Sequence, residues 1–237
     1  MEQLSLIGPA PSAARTLVDD ASGRIVYQPE LVPAPECAAW FAALRDGIEW
    51  QHERRPMYDR MVDVPRLTAG FDCTGPLPPA IAAAKQLVEA RMGLRFNSVG
   101  LNFYRDGNDS VAMHNDRTAE LLPRSPVALL SLGETRVMRI QSKARPRRAI
   151  KLALEAGSLL LMAGAAQEHW EHGIPKAREP VAQRIPRARI AERGVAEQQR
   201  CLAVGGQGRK PLDRNAGRPD ALSRRKIHHF HEERRLG

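Results

Sequence analysis

The sequence predicts an α+β fold that is mainly β: a double-sheet jelly roll (a double-stranded β-helix) with supporting N-terminal helices and a low-order basic C-terminal tail. Three observations carry this. Residues 101–116 alternate in polarity around a tight turn, which is the pattern of two half-buried strands. Four more short runs follow, near residues 126–132, 136–142, 149–154 and 158–163, with turn residues between them; evenly spaced short strands belong to sandwiches and rolls. Two amphipathic helical stripes precede the strands. The expected layout is an arm over 1–30, one domain over 31–185 with its roll at about 95–185, and a tail over 186–237.

In chain order, Pro9, Pro11, Ser12 and Gly23 break any period in the arm, leaving a short strand at Arg24-Ile-Val-Tyr27. From Pro33 a helix is expected, because Cys37, Trp40, Phe41, Leu44 and Ile48 recur at helical spacing and Pro35 suits a first turn. Residues 51–76 read as loop. A second helix spans about 78–92: Pro78 and Pro79 open it, Ile81, Ala84, Leu87 and Val88 form its apolar stripe, and Gly93 ends it. Both helices are expected to brace the sheet from outside. Between the later strands, Arg145-Pro146-Arg147-Arg148 is a basic turn.

A chain of 237 residues with 43% hydrophobic residues can bury one real core. It has no apolar run of membrane-spanning length and no basic-then-apolar leader pattern, so a soluble cytoplasmic monomer without a membrane partner is expected. Cys37, Cys73 and Cys201 are odd in number and widely spaced, which gives neither a disulfide framework nor zinc-ligand spacing. The net charge of +9 invites a nucleic-acid reading, yet residues 184–237 hold 14 Lys and Arg against 6 Asp and Glu. The basicity belongs to the tail and says little about the surface around a site.

The chemistry is concentrated in residues 102–116. Along the second strand, His114 and Asp116 are two apart and leave it in the same direction. One strand can thereby supply two ligands to one metal ion. Two histidines and one carboxylate on one face of an octahedron leave three positions open, which suits a non-haem Fe(II) oxygenase. The distal histidine is His169 or His172, and spacing alone does not choose between them.

The longer pattern Asn102-x-Tyr104-x-x-Gly107-x-Asp109-x-x-x-x-His114-x-Asp116 resembles the AlkB family of iron- and 2-oxoglutarate-dependent nucleic-acid dealkylating dioxygenases. The resemblance covers about residues 56–185 and continues through Leu130-Ser131-Leu132-Gly133 and Gly157-Ser158-Leu159-Leu160-Leu161-Met162. It ends on Trp170-x-His172-x-Ile174-Pro175-Lys176, which favours His172 as the distal ligand. It implies Fe(II) held by His114, Asp116 and His172, and 2-oxoglutarate seated by Asn102, Tyr104 and Arg184. An arginine suits that seat because its planar fork matches a carboxylate. It also implies a lid over the nucleotide near Val64-Pro65-Arg66-Leu67, from which Arg66 and Phe71 would meet an extruded base, together with Thr118 beyond the metal Asp; the other reading of Phe71 is a plug in the local core. The implied reaction couples decarboxylation of 2-oxoglutarate by O2, giving succinate and CO2, to hydroxylation of an N-alkyl group. The hemiaminal then releases an aldehyde. The partner would be alkylated DNA or RNA.

Two positions depart from the family. Thr118 stands where relatives often carry an acid. Ile190 stands where a second co-substrate arginine is expected, and Arg187 and Arg189 are odd-numbered steps from Arg184, hence on the other face of a strand. From Pro186 the chain is rich in Arg, Gly, Pro and Gln with no sustained period. It reads as a shifted reading frame after codon 185 or as a basic extension that grips nucleic acid. Either way the expectation is a roll whose last strand is missing or imperfect, a neighbouring strand with an exposed edge, and weak or no activity. The alternative function is therefore a catalytically impaired relative that binds nucleic acid through this tail, and a zinc hydrolase using the same ligands is disfavoured by the co-substrate pattern.

Overall fold

The computed structural model describes residues 12–57, 59–116, 124–177 and 201–207. In chain order the elements are β1 (Arg15–Asp20), β2 (Gly23–Gln28), α1 (Ala34–Gly47), β3 (Gln51–Met57), β4 (Arg60–Asp72), α2 (Pro79–Met92), β5 (Ser98–Tyr104) and β6 (Val111–His114). They continue with β7 (Val127–Gly133), β8 (Arg136–Ser142), β9 (Ala149–Leu154), β10 (Leu159–Ala163), α3 (Ala166–His169), β11 (Trp170–Ile174) and β12 (Cys201–Gln207). Eight strands form one antiparallel sheet in the order β1-β2-β10-β7-β12-β5-β4-β3, and four form a second in the order β6-β11-β8-β9.

Alternation decides which face each strand residue takes. On β5, Val99, Leu101 and Phe103 point to the helices, where they meet Trp40 and Leu44 of α1 and Ile81, Ala84 and Val88 of α2. Phe103 stacks between Phe41 and Trp50, with ring centroids 6.2 and 5.2 Å away; such aromatic pairs add roughly 0.5–1.5 kcal/mol each beyond burial. Tyr104 points the other way, into a second core between the sheets with Met138, Ile140, Leu160, Trp170 and Ile174. The helices therefore brace the outside of the large sheet, as the stripes predict, and the inner face is left for the site. Gly93 ends α2 at φ 64, its N–H donating to the Glu89 carbonyl, a conformation that favours glycine.

Three expectations need correction. The arm contains a hairpin, because β1 and β2 pair with each other and β2 pairs with β10. Residues 51–76 contain a second hairpin, β3–β4, that extends the same sheet beside β5. Pro65 hid it. The proline falls where the register slips between His52 and Arg54, so no ladder hydrogen bond is lost, and its carbonyl accepts from the Ser110 amide at 2.8 Å. The third concerns the last strand. Cys201-Leu-Ala-Val-Gly-Gly-Gln207 lies between β5 and β7 and pairs with both, so the roll is closed at that position and β5 has no exposed edge there. Two facing strand edges recruit a short, uncharged segment that the surrounding composition masks. The rest of the expected tail lies outside the described residues.

Candidate metal centre

β6 and β11 carry the site. They pair antiparallel with His172 directly across from His114. The ring centroids are 4.5 Å apart. Asp116 follows two residues beyond the end of β6, and its Oδ2 lies 4.0 Å from His172 Nε2. One ligand atom from each of His114, Asp116 and His172 lies within 4.8 Å of the others.

The close approach of the two strands depends on Gly173. It sits where the β11–β6 register shifts between His172 and Ile174, and a Cβ there would meet the Val111 carbonyl oxygen at 2.9 Å and the Ala112 carbonyl at 3.0 Å. The far ends are stapled by Arg136, which is 2% exposed. Its guanidinium donates to the carbonyls of Asp106 (3.0 Å), Asp109 (2.8 Å) and Pro175 (3.0 Å). Asp109 in turn grips Arg105 through both carboxylate oxygens, at 2.7 and 2.8 Å, and Gly107 accepts from the Ala177 amide at 2.8 Å. Burial alone would raise the Asp109 carboxyl, but the Arg105 side chain and amide and the Arg136 charge hold it below its ordinary value.

The donor chemistry fits a divalent metal. Burial pushes the His172 imidazole down to about 4, against the pull of Asp116 and with the help of His114, so it is neutral and free to ligate at pH 7. His114 lies 2.9 Å from the Ala112 carbonyl through Nδ1. A carbonyl only accepts, so Nδ1 is the donor in this contact and Nε2 is the ring atom left to face a metal. Two imidazoles and one carboxylate are the ligand set of a non-haem iron site with open positions. His169, the rival, is exposed at the end of α3.

Of the other predicted residues, Asn102 and Tyr104 lie together on β5, and Tyr104 is buried on the inner side with the Arg136 guanidinium 5.5 Å over its ring. Arg66 joins them: its Nε donates to Asn102 Oδ1 at 2.7 Å. Phe71 does not. It pairs across from Val99 and packs against the helix-side core, which is the core-plug alternative rather than the base-stacking one. Thr118 and Arg184 lie outside the described residues. Sequence reasoning gave no role to Gly173, Arg136 or Gln167. The partners of the last two are far away in the chain, so no local pattern reveals them.

A family model described as the 2OG-Fe(II) oxygenase superfamily matches residues 68–199. The chain belongs to this superfamily. Within it the chain is 31% identical over 176 residues to alpha-ketoglutarate-dependent dioxygenase alkB homolog 3 of Rattus norvegicus, covering 65% of this chain and 59% of that protein. To the Homo sapiens protein of the same name it is 30% identical over 183 residues, covering 66% and 63%. To DNA oxidative demethylase ALKBH2 of Mus musculus it is 35% identical over 117 residues, covering 46% and 49%. The AlkB resemblance read from the motifs is borne out, and the family implies Fe(II), 2-oxoglutarate and O2. The chain spans 59% to 63% of the length of the alkB homolog 3 proteins it matches. Among solved structures, a Pseudomonas putida prolyl-4-hydroxylase superposes with TM-score 0.50 at 16% identity, covering 81% of this chain and 95% of that one. OsALKBH1 does so with TM-score 0.50 at 16% identity, covering 77% and 97%. At that identity the likeness is one of fold.

Proposed function

We propose that this protein is an Fe(II)- and 2-oxoglutarate-dependent dioxygenase that oxidatively removes N-alkyl groups from damaged bases of DNA or RNA. The observation that carries the reading is the convergence of His114, Asp116 and His172, with their donor atoms within 4.8 Å of one another, on the inner side of a roll shared with Asn102 and Tyr104. The names of the similar proteins, alpha-ketoglutarate-dependent dioxygenase and DNA oxidative demethylase, support the reaction and the substrate class.

When bound, iron with O2 and 2-oxoglutarate supplies the oxidising chemistry: the co-substrate leaves as succinate and CO2, and one oxygen atom enters a C–H bond of the alkyl group. The chain's own residues supply the rest. His114, Asp116 and His172 would hold the metal on one face and leave the opposite face for co-substrate and O2. Asn102 and Tyr104, with Arg184, would seat 2-oxoglutarate. Arg66, bonded to Asn102, borders that seat from β4.

The test is to supply the purified chain with Fe(II), 2-oxoglutarate and an N-methylated oligonucleotide, and to follow succinate, formaldehyde and the mass of the base. Release of both products in step with loss of the methyl group, abolished in His172→Ala, is the expected result. Tight oligonucleotide binding with no iron-dependent succinate release would overturn the reading in favour of an impaired relative.

A further inference from the structure

Asp116 lies past the end of β6, so no strand ladder fixes its side chain. Gln167 holds it from α3. The side-chain carbonyl Oε1 of Gln167 accepts from the Asp116 amide at 3.1 Å, and its Nε2 donates to Asp116 Oδ2 at 2.8 Å. One primary amide thus holds both the backbone and the carboxylate of the same residue, from 51 positions away. Gln167 is only 7% exposed, and its amide group meets the carboxylate away from bulk water, where a hydrogen bond to a charged group is strongest.

The bland reading is that Gln167 merely ties the loop after β6 to the turn before β11. Asn115 already makes that tie: its Nδ2 donates to the carbonyls of Gln167 and Trp170. The Gln167 side chain is therefore free to act on the carboxylate itself. We propose that Gln167 is a positioning residue for the metal centre, orienting the Asp116 carboxylate toward His114 and His172 before a metal arrives. A carboxylate has about four lone-pair directions. The amide takes one of them, on Oδ2. Without Gln167 the Asp116 carboxylate loses this hold on Oδ2, and the ion would have to supply it on binding. This inference rests on the metal-binding reading above, and the two can fail separately.

The experiment titrates Co(II) into wild type, Gln167→Met (similar volume, no amide) and Gln167→Asn (same groups, one methylene too short to reach both atoms). Near-ultraviolet circular dichroism checks that each variant is folded. Co(II) affinity is expected to fall about 10- to 100-fold in both, the range typical for loss of an outer partner of a ligand, and the ligand-field spectrum to change with it. A merely structural role would lower thermal stability while the folded variants kept wild-type affinity and spectrum, and that outcome in either variant overturns the proposal. Absence of Co(II) binding in the wild type would overturn the metal-centre reading itself.

Discussion

His172 faces His114 across the β11–β6 ladder, with ring centroids 4.5 Å apart. Strand pairing, not loop conformation, therefore sets the distance between the two imidazoles, and each arrives on a strand whose partner is fixed by backbone hydrogen bonds. His169, three residues earlier, ends α3 and is exposed. His114→Ala and His172→Ala are expected to weaken Mn(II) or Fe(II) binding by more than the roughly 10- to 100-fold that outer partners cost. His169→Ala is expected to leave it unchanged. Calorimetric titration of the three variants checks this, and loss of binding in His169→Ala alone would contradict it.

Gly173 is the residue that lets β11 come this close to β6. A Cβ at 2.9 Å from the Val111 carbonyl oxygen meets backbone rather than a flexible side chain, so a strand must move. Gly173→Ala is expected to cost about 1–3 kcal/mol, the usual range for overpacking, and to weaken metal binding as well, because the shift separates His114 from His172. Urea denaturation and a Mn(II) titration measure the two effects, and a variant with wild-type values for both would show that the bulge absorbs the methyl group.

Much of this site is legible in the sequence because its chemistry is local. His114 and Asp116 share a strand direction, and the Trp170 to Lys176 segment marks the distal ligand through family resemblance. The alternating run from Leu101 to Tyr104 also assigns its own faces. Illegible are features set by long-range pairing. β4 looks like loop, since Pro65 breaks its pattern and only the register slip opposite β3 makes the proline harmless. β12 hides in polar sequence because its place is defined by β5 and β7 rather than by its own composition. Phe71 reads as either a stacking residue or a core plug, and only β4–β5 pairing turns it to the helix side.

Arg136 bonds three main-chain carbonyls, of Asp106, Asp109 and Pro175, while 2% exposed. It ties the turn before β6 to the exit of β11. Arg136→Met removes the donors and strands buried acceptors, each worth roughly 1–3 kcal/mol. A destabilisation on the order of 3 kcal/mol is expected, with metal affinity reduced in the fraction that folds. Arg136→Lys should recover only part, since an ammonium lacks the planar fork that reaches divergent carbonyls. Equilibrium unfolding of the two variants against wild type is the measurement, and equal stability of all three would show that water replaces the guanidinium.

Glu89 gives the fold a dependence on pH. Its side chain is 6% exposed and bonds Lys85 Nζ at 2.7 Å and Arg95 Nη1 at 3.3 Å, and it accepts from the Phe96 amide at 2.7 Å. Burial alone would raise its pKa, but the Lys85 and Phe96 hydrogen bonds and the two positive charges outweigh it, and the carboxyl is held below its ordinary 4.5. A carboxyl whose pKa is lower folded than unfolded binds fewer protons in the native state. Its stabilisation is therefore present above the unfolded value of 4.5 and is lost as pH falls through that value toward the folded one. The interaction clamps the last turn of α2 to the start of the segment leading into β5, so acid should loosen the helix-side core first. Glu89→Gln is expected to be less stable than wild type at pH 7, with the gap narrowing as pH falls below 4.5. Urea midpoints measured for both proteins across that range test the sign: a gap that stays constant or widens toward low pH would show that Glu89 contributes through shape rather than charge.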